Sequence, residues 1–146
     1  MTSDIITRAT EYWSGKRRGR RLPARPVIDP VELGEMLPHL VIAEAIDDGA
    51  DYHHRIAGDA AETLLGAGLH GARLSDIEKD CLLTPAWRQG LDQARAFKAP
   101  HFAAFDGKDG APALRAVFLP LSRDENDEED ADFIMSAIIT DEVTAA

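Results

Sequence analysis

Cysteine is nearly absent from this chain: Cys81 stands alone among 146 residues. One thiol makes no internal disulfide and no multi-cysteine metal site, and a lone Cys reads as a small, inert, buried side chain. No run of about 18 apolar residues exists, which excludes a membrane-spanning helix. Met1-Thr2-Ser3-Asp4 lacks the charged start and apolar stretch of a signal peptide, so the expected location is the cytoplasm. Positive charge is also scarce: 16 Lys and Arg against 26 Asp and Glu leave a net charge of −10. That deficit argues against a nucleic-acid partner.

What is present fits one soluble domain, with 45% apolar residues to build a core and 29% charged residues. The charge is unevenly spread. Residues 1–26 hold Arg8, Lys16, Arg17, Arg18, Arg20, Arg21 and Arg25 against Asp4 and Glu11, a basic arm on an acidic body.

The first helix is expected after Ser3 as its cap. Ile5, Ile6, Ala9, Tyr12 and Trp13 fall on one stripe, and Gly15 and Gly19 weaken the helix beyond it. Leu22 to Pro26 should be extended, because each proline disfavours helix in the residue before it. Asp29-Pro30 opens a short second helix, with Glu32 completing a capping box and Pro38 ending it. Leu40–Ile46 and Tyr52–Ala57 read as a hairpin around Asp47-Asp48-Gly49. Asp59 and Glu62 make another capping box, for a helix ending at Gly66. Leu74–Ile77 is one more helical turn. Thr84-Pro85 starts a long helix that runs to about Lys98, with Trp87, Leu91 and Ala94 on one face. Three strands follow: His101–Phe105, Ala113–Leu121 (where Pro120 demands an edge or a bulge) and Phe133–Thr140. Residues 124–132 are too acidic to be anything but a solvated loop. The order predicts an α+β fold: a five-stranded antiparallel sheet with helices on one face and an additional N-terminal helix.

Catalytic signatures are missing. No Gly-rich phosphate loop follows a strand, and Ser75-Asp76 has no nucleophile-elbow context. The adjacent His53 and His54 point to opposite faces of a strand and make no metal pair. The remaining histidines, His39, His70 and His101, read as partly exposed polar side chains. No enzyme activity is expected.

The element order resembles that of PAS domains. Ala61-Glu62-Thr63-Leu64-Leu65-Gly66, then Gly71 and Leu74-Ser75-Asp76-Ile77, resembles their pattern of helix, loop and short Leu-rich turn. The chain also resembles a PAS subfamily of alphaproteobacteria whose members carry little beyond this domain. The residues that carry this likeness are Tyr12-Trp13, Arg17-Arg18-Gly19-Arg20-Arg21-Leu22-Pro23-Ala24-Arg25, Ile28-Asp29-Pro30, Leu37-Pro38-His39-Leu40 and Arg55-Ile56-Ala57-Gly58. Asp59 stands where that subfamily often has Thr. Glu78-Lys79 stands where it often has an aromatic residue.

The resemblance implies residues 1–26 as helix and arm, 27–141 as the PAS domain and 142–146 as a tail. It implies a sensory or regulatory module in signalling that acts through a regulatory protein partner. The alternative is a sensor of a metabolite or nucleotide, with Leu64, Trp87 and Leu91 lining the pocket. No cofactor is expected: the long helix holds no His for haem, and Cys81 is not in a flavin photosensor's Asn-Cys-Arg pattern. Arg17, Arg18, Arg20, Arg21 and Arg25 are the candidates for docking an acidic partner or a phosphate, or for pairing with the acidic loop. Arg17 and Arg21 have the RxxxR spacing of PilZ-type cyclic-di-GMP binders, without the second motif those proteins need. Ile5, Ile6, Tyr12 and Trp13 are expected to cover the open face of the sheet, partly across a homodimer. An uncovered apolar sheet face is rarely tolerated by a soluble monomer.

Overall fold

The computed structural model describes residues 4–66, 68–77, 84–106, 113–127 and 130–140. Helix α1 spans Ile5–Lys16, followed by a 3₁₀ turn at Arg25–Val27, α2 at Pro30–Leu33 and a second 3₁₀ stretch at Gly34–His39. Strands β1 (Leu40–Ile46) and β2 (Asp51–Ala57) form a hairpin. Helices α3 (Asp59–Leu65), α4 (Leu74–Ile77) and α5 (Thr84–Phe97) precede β3 (His101–Phe105), β4 (Leu114–Leu121) and β5 (Phe133–Thr140). The five strands form one antiparallel sheet in the order β2-β1-β5-β4-β3. The α+β expectation holds.

Strand alternation divides the core in two. Val41, Ala43, Phe118, Ile134 and Ile138 face α3, α4 and α5 with Trp87 and Leu91. Leu40, Ile42, Val117, Leu119, Met135 and Ala137 face the other way, toward Ile6, Ala9 and Trp13 of α1. A bulge between Ile42 and Ala43 of β1 leaves Arg55 of β2 as the extra residue. The bulge reverses the phase of β2, so Tyr52 faces α5 while Ile56 faces the α1 side.

Local chemistry differs from expectation at several ends. Asp4, not Ser3, is observed as the cap of α1, its carboxylate accepting from the Thr7 N–H at 2.8 Å. Asp29 does cap α2 through the Val31 N–H, but Glu32 does not close a capping box. It accepts from the Tyr12 hydroxyl at 2.8 Å and pairs with Lys16 at 2.8 Å. The α2 helix stops at Leu33 because Gly34 adopts φ +50°, and Pro38 lies inside the 3₁₀ stretch that follows. Gly58 caps α3 and Asp59 is its first helical residue. Glu62 reaches forward instead, accepting from the N–H groups of Leu69 and His70. Pro120 fits because β3 pairs with β4 only as far as Phe118, so the proline lies beyond the neighbouring strand. Ser3, Cys81, the side chain of Thr84, the turn after Asp106 and the 142–146 tail lie outside the described residues.

Candidate functional site

The basic arm is fastened to the body. Ala24 bridges Ser122 in parallel just past the end of β4, with the Arg25 N–H on the Ser122 carbonyl and the Ser122 N–H on the Pro23 carbonyl. The Trp13 indole donates to the Pro120 carbonyl at 2.7 Å. Arg20 turns inward to its own acidic loop, donating to the carbonyls of Asp124, Glu125 and Asp127. Among the described residues the arm meets the loop within one chain, Arg20 reaching its backbone carbonyls.

That attachment sorts the five arginines. Arg20 is occupied, and Arg17 lies over the Trp13 ring at 5.2 Å. Arg18 and Arg21 are exposed, and Arg25 is half-buried; none of the three forms an ion pair among the described residues. Burial pulls the Arg25 guanidinium below its ordinary pKa. Lys16, Arg18, Arg20 and Glu125 line a recess of about 240 Å³.

Ile6 and Trp13 are buried on the chain's own sheet, with Ile5 and Tyr12 packed at the margin. The Tyr12 hydroxyl accepts from the Asp29 N–H while donating to Glu32. Burial and the neighbouring Glu32 push its pKa up to about 12. These contacts tie α1 to α2 and set α2 beside a groove of about 510 Å³ that the sequence did not single out. The groove is lined by Pro30, Leu37, Pro38, Ile56, Gly58 and His70. Gly58 is required there by space: a Cβ would stand 2.2 Å from the Pro38 carbonyl oxygen. The Ile28-Asp29-Pro30, Leu37-Pro38-His39-Leu40 and Arg55-Ile56-Ala57-Gly58 stretches thus converge on one surface. Their joint occurrence was the available signal; it required knowing that hairpin and α2 meet. Val31, next to Pro30, is 87% exposed.

The proposed pocket residues do come together beneath α5. Trp87 and Leu91 are fully enclosed, and Leu64 packs on the same cluster. The Trp87 and Phe118 rings are 4.8 Å apart. Helix α5 lies so close to the sheet that a Cβ on Gly90 would stand 2.3 Å from the Phe118 ring. Four polar atoms on this side are buried with no hydrogen-bond partner among the described residues: Trp87 Nε1, His54 Nε2, Ser136 Oγ and, on α5 itself, Arg95 Nε. The other His54 nitrogen, Nδ1, lies 2.9 Å from the Ala72 carbonyl, and His53 Nε2 lies 3.1 Å from that of Gly71. No group of three or more metal-ligating side chains is found among the described residues.

A family model described as PAS domain matches residues 1–131. The chain belongs to the PAS domain family. That family is one of sensory signalling modules, and its model takes in α1 and the arm as well as most of the sheet. No curated protein matches the chain. A crystal structure of a sensory box sensor histidine kinase from Vibrio cholerae matches with a TM-score of 0.47 at 14% identity, over 75% of this chain and 91% of that one. Among the described residues of this PAS domain, no helix is long and apolar enough to cross a membrane.

Proposed function

We propose that this PAS domain is a non-catalytic cytoplasmic regulatory module that signals by docking a partner protein. The docking surface is the apolar groove between α2 and the β2–α3 junction, with the exposed cations Arg18 and Arg21 of the fastened arm as its charged complement, Arg18 being close enough to act on Glu32 of α2. The partner that fits is an acidic segment with an apolar anchor. One observation carries this reading: three of the sequence stretches by which the chain resembles its subfamily meet at that groove. Burial of an apolar anchor would supply affinity, and the cations would set orientation and association rate. A photo-crosslinking residue at Val31, introduced in the native host, tests it. The expected result is one discrete protein adduct whose cross-linked segment is acidic, lost when Arg18→Glu and Arg21→Glu are added. No adduct, or one indifferent to those changes, would overturn the reading.

A second reading, a small-molecule sensor, is favoured by the unpaired polar atoms buried on the α5 side of the sheet, Trp87 Nε1 above all. A buried donor or acceptor without a partner costs about 1–3 kcal/mol, which a polar ligand seated there would recover. The tight fit of α5 on Phe118 weighs against it, because a ligand would have to lift the helix. Native mass spectrometry of the protein purified from its host separates the two. The docking reading expects the mass of the chain with no retained small molecule; a stoichiometric one would transfer the function to the core.

A further inference from the structure

The two edges of the sheet are treated differently. On β2, residues 71–73 guard the outer edge: the His54 N–H bonds the Ala72 carbonyl, the Gly71 N–H bonds the His54 carbonyl, and Arg73 bridges His53. Beyond β3, at the opposite end, no strand or bridge is found among the described residues. An open edge is a row of unpaired N–H and C=O groups, and proteins usually blunt one with charge, proline or a bulge. The strand His101-Phe102-Ala103-Ala104-Phe105 has none of these, and its register with β4 is unbroken. It is also apolar outside. Phe102 on the strand is 59% exposed, and Phe97 at the end of the preceding helix is 67% exposed.

We propose that the outer edge of β3 is a self-association surface, on which the β3 of a second copy of this chain pairs antiparallel about Ala103 to join two sheets across a two-fold axis. The strand's own pattern argues for a second copy. A two-fold pairing centred on Ala103 sets Phe102 opposite the second copy's Ala104, large against small, and symmetry repeats the contact. His101 falls opposite Phe105 in the same register. The strand holds no Asp, Glu, Lys or Arg, so two chains of net charge −10 can approach there without acidic side chains in the paired register. Lys98 lies before β3 and Asp106 after it, and neither forms an ion pair among the described residues. Antiparallel pairing brings the Lys98 end of one copy to the Asp106 end of the other. Helix α1 is already spent on its own sheet, so this association leaves it and the docking groove untouched.

Sedimentation velocity on the full chain, from about 10 μM to about 500 μM, reads the result directly. The wild type should rise toward twice the chain mass. Phe102→Glu, at an exposed position, should weaken association at least tenfold while leaving the melting temperature in place. Adding Ala104→Lys to Phe102→Glu should restore it, because opposite charges then face each other twice across the axis. Should Phe102→Glu lose its near-ultraviolet dichroism, Ala104→Lys alone serves, since it opposes the second copy's Phe102. A wild type monomeric throughout overturns the proposal and leaves the edge to a strand of a different protein. A dimer that survives both single substitutions overturns it as well.

Discussion

Trp13 and Trp87 lie on opposite faces of one sheet and are almost equally buried, at 4% and 1% exposure. Their indole N–H groups fare differently. That of Trp13 donates to the Pro120 carbonyl, whereas that of Trp87 is enclosed without an acceptor among the described residues. The contrast extends to their surroundings. On the α1 side the buried Glu44 is held by Arg55 at 2.6 Å and Arg123 at 2.8 Å. Burial works against its ionisation, but the two guanidinium hydrogen bonds outweigh burial and keep the carboxyl below the usual carboxylate range. On the α5 side His54, Ser136 and Arg95 also keep a buried atom without a hydrogen-bond partner among the described residues. The α1 face pairs its buried indole and carboxylate, although Arg17 Nε there is also buried without a hydrogen-bond partner among the described residues. The α5 face retains capacity that something polar could use.

The largest expected effect tests the packing of the α5 face. Leu91→Ala should cost about 2–5 kcal/mol. The upper half of that range is expected, because Gly90 is already against Phe118 and α5 has no room to settle into the cavity. Urea unfolding measures it, and an unmoved midpoint would mean that this face is not packed as described.

The two tryptophans give the next effect and sharpen the contrast itself. Trp13→Phe deprives the Pro120 carbonyl of its indole donor and should cost about 1–3 kcal/mol beyond the lost volume. Trp87→Phe removes a donor that has no acceptor, so relief of that penalty offsets the volume lost. The Trp87 substitution should therefore be the milder by about 1 kcal/mol or more in parallel unfolding experiments. If it is the costlier of the two, its N–H has a partner in solution and the α5 face is occupied.

Most of the fold was legible because its signals are local. The apolar strand run read over Ala113–Leu121, the Thr84-Pro85 start and the hairpin turn act within a few residues, and the observed strand and helix bounds follow them closely. The two misread capping boxes have one cause: an acidic side chain near a helix start has more than one possible partner. Glu32 and Glu62 sit at capping-box spacing, yet Tyr12 with Lys16 and the Leu69–His70 backbone claim them, and both alternatives depend on tertiary approach. The site was less legible for the same reason. Counting arginines could not reveal that Arg20 serves its own loop, nor that Arg17 stacks on Trp13. The groove was invisible as a groove, since its walls come from segments on either side of the first hairpin.

The smallest effect is a pH dependence that should separate the two faces without disturbing either. His54 is buried, and burial pulls its pKa below the ordinary value, only partly countered by its contact with the Ala72 carbonyl; neighbouring His53 pulls it further down and Asp51 pulls it up. The folded state therefore resists protonation that the unfolded chain accepts near pH 6.5. Above about pH 6.5 both states hold a neutral imidazole and His54 adds no slope. As pH falls below that value the unfolded state takes up the proton first, and stability declines until the folded imidazole is protonated too. One group can contribute no more than about 1.4 kcal/mol per pH unit. Glu44 and Asp51, whose pKa values are lowered, act in the same direction but later, below about pH 4.5, where their unfolded counterparts gain protons. Acid destabilisation should thus come in two stages: a shallow one from the α5 face, then a steeper one to which Glu44 of the α1 face contributes. Urea midpoints for wild type and His54→Gln across about pH 3 to 7.5 resolve them. The variant, whatever its absolute stability, should lose the upper stage and keep the lower. A wild type whose midpoint is flat between about pH 5 and 6.5 would show that His54 is protonated equally in both states, and so that water or another polar partner already reaches the α5 face.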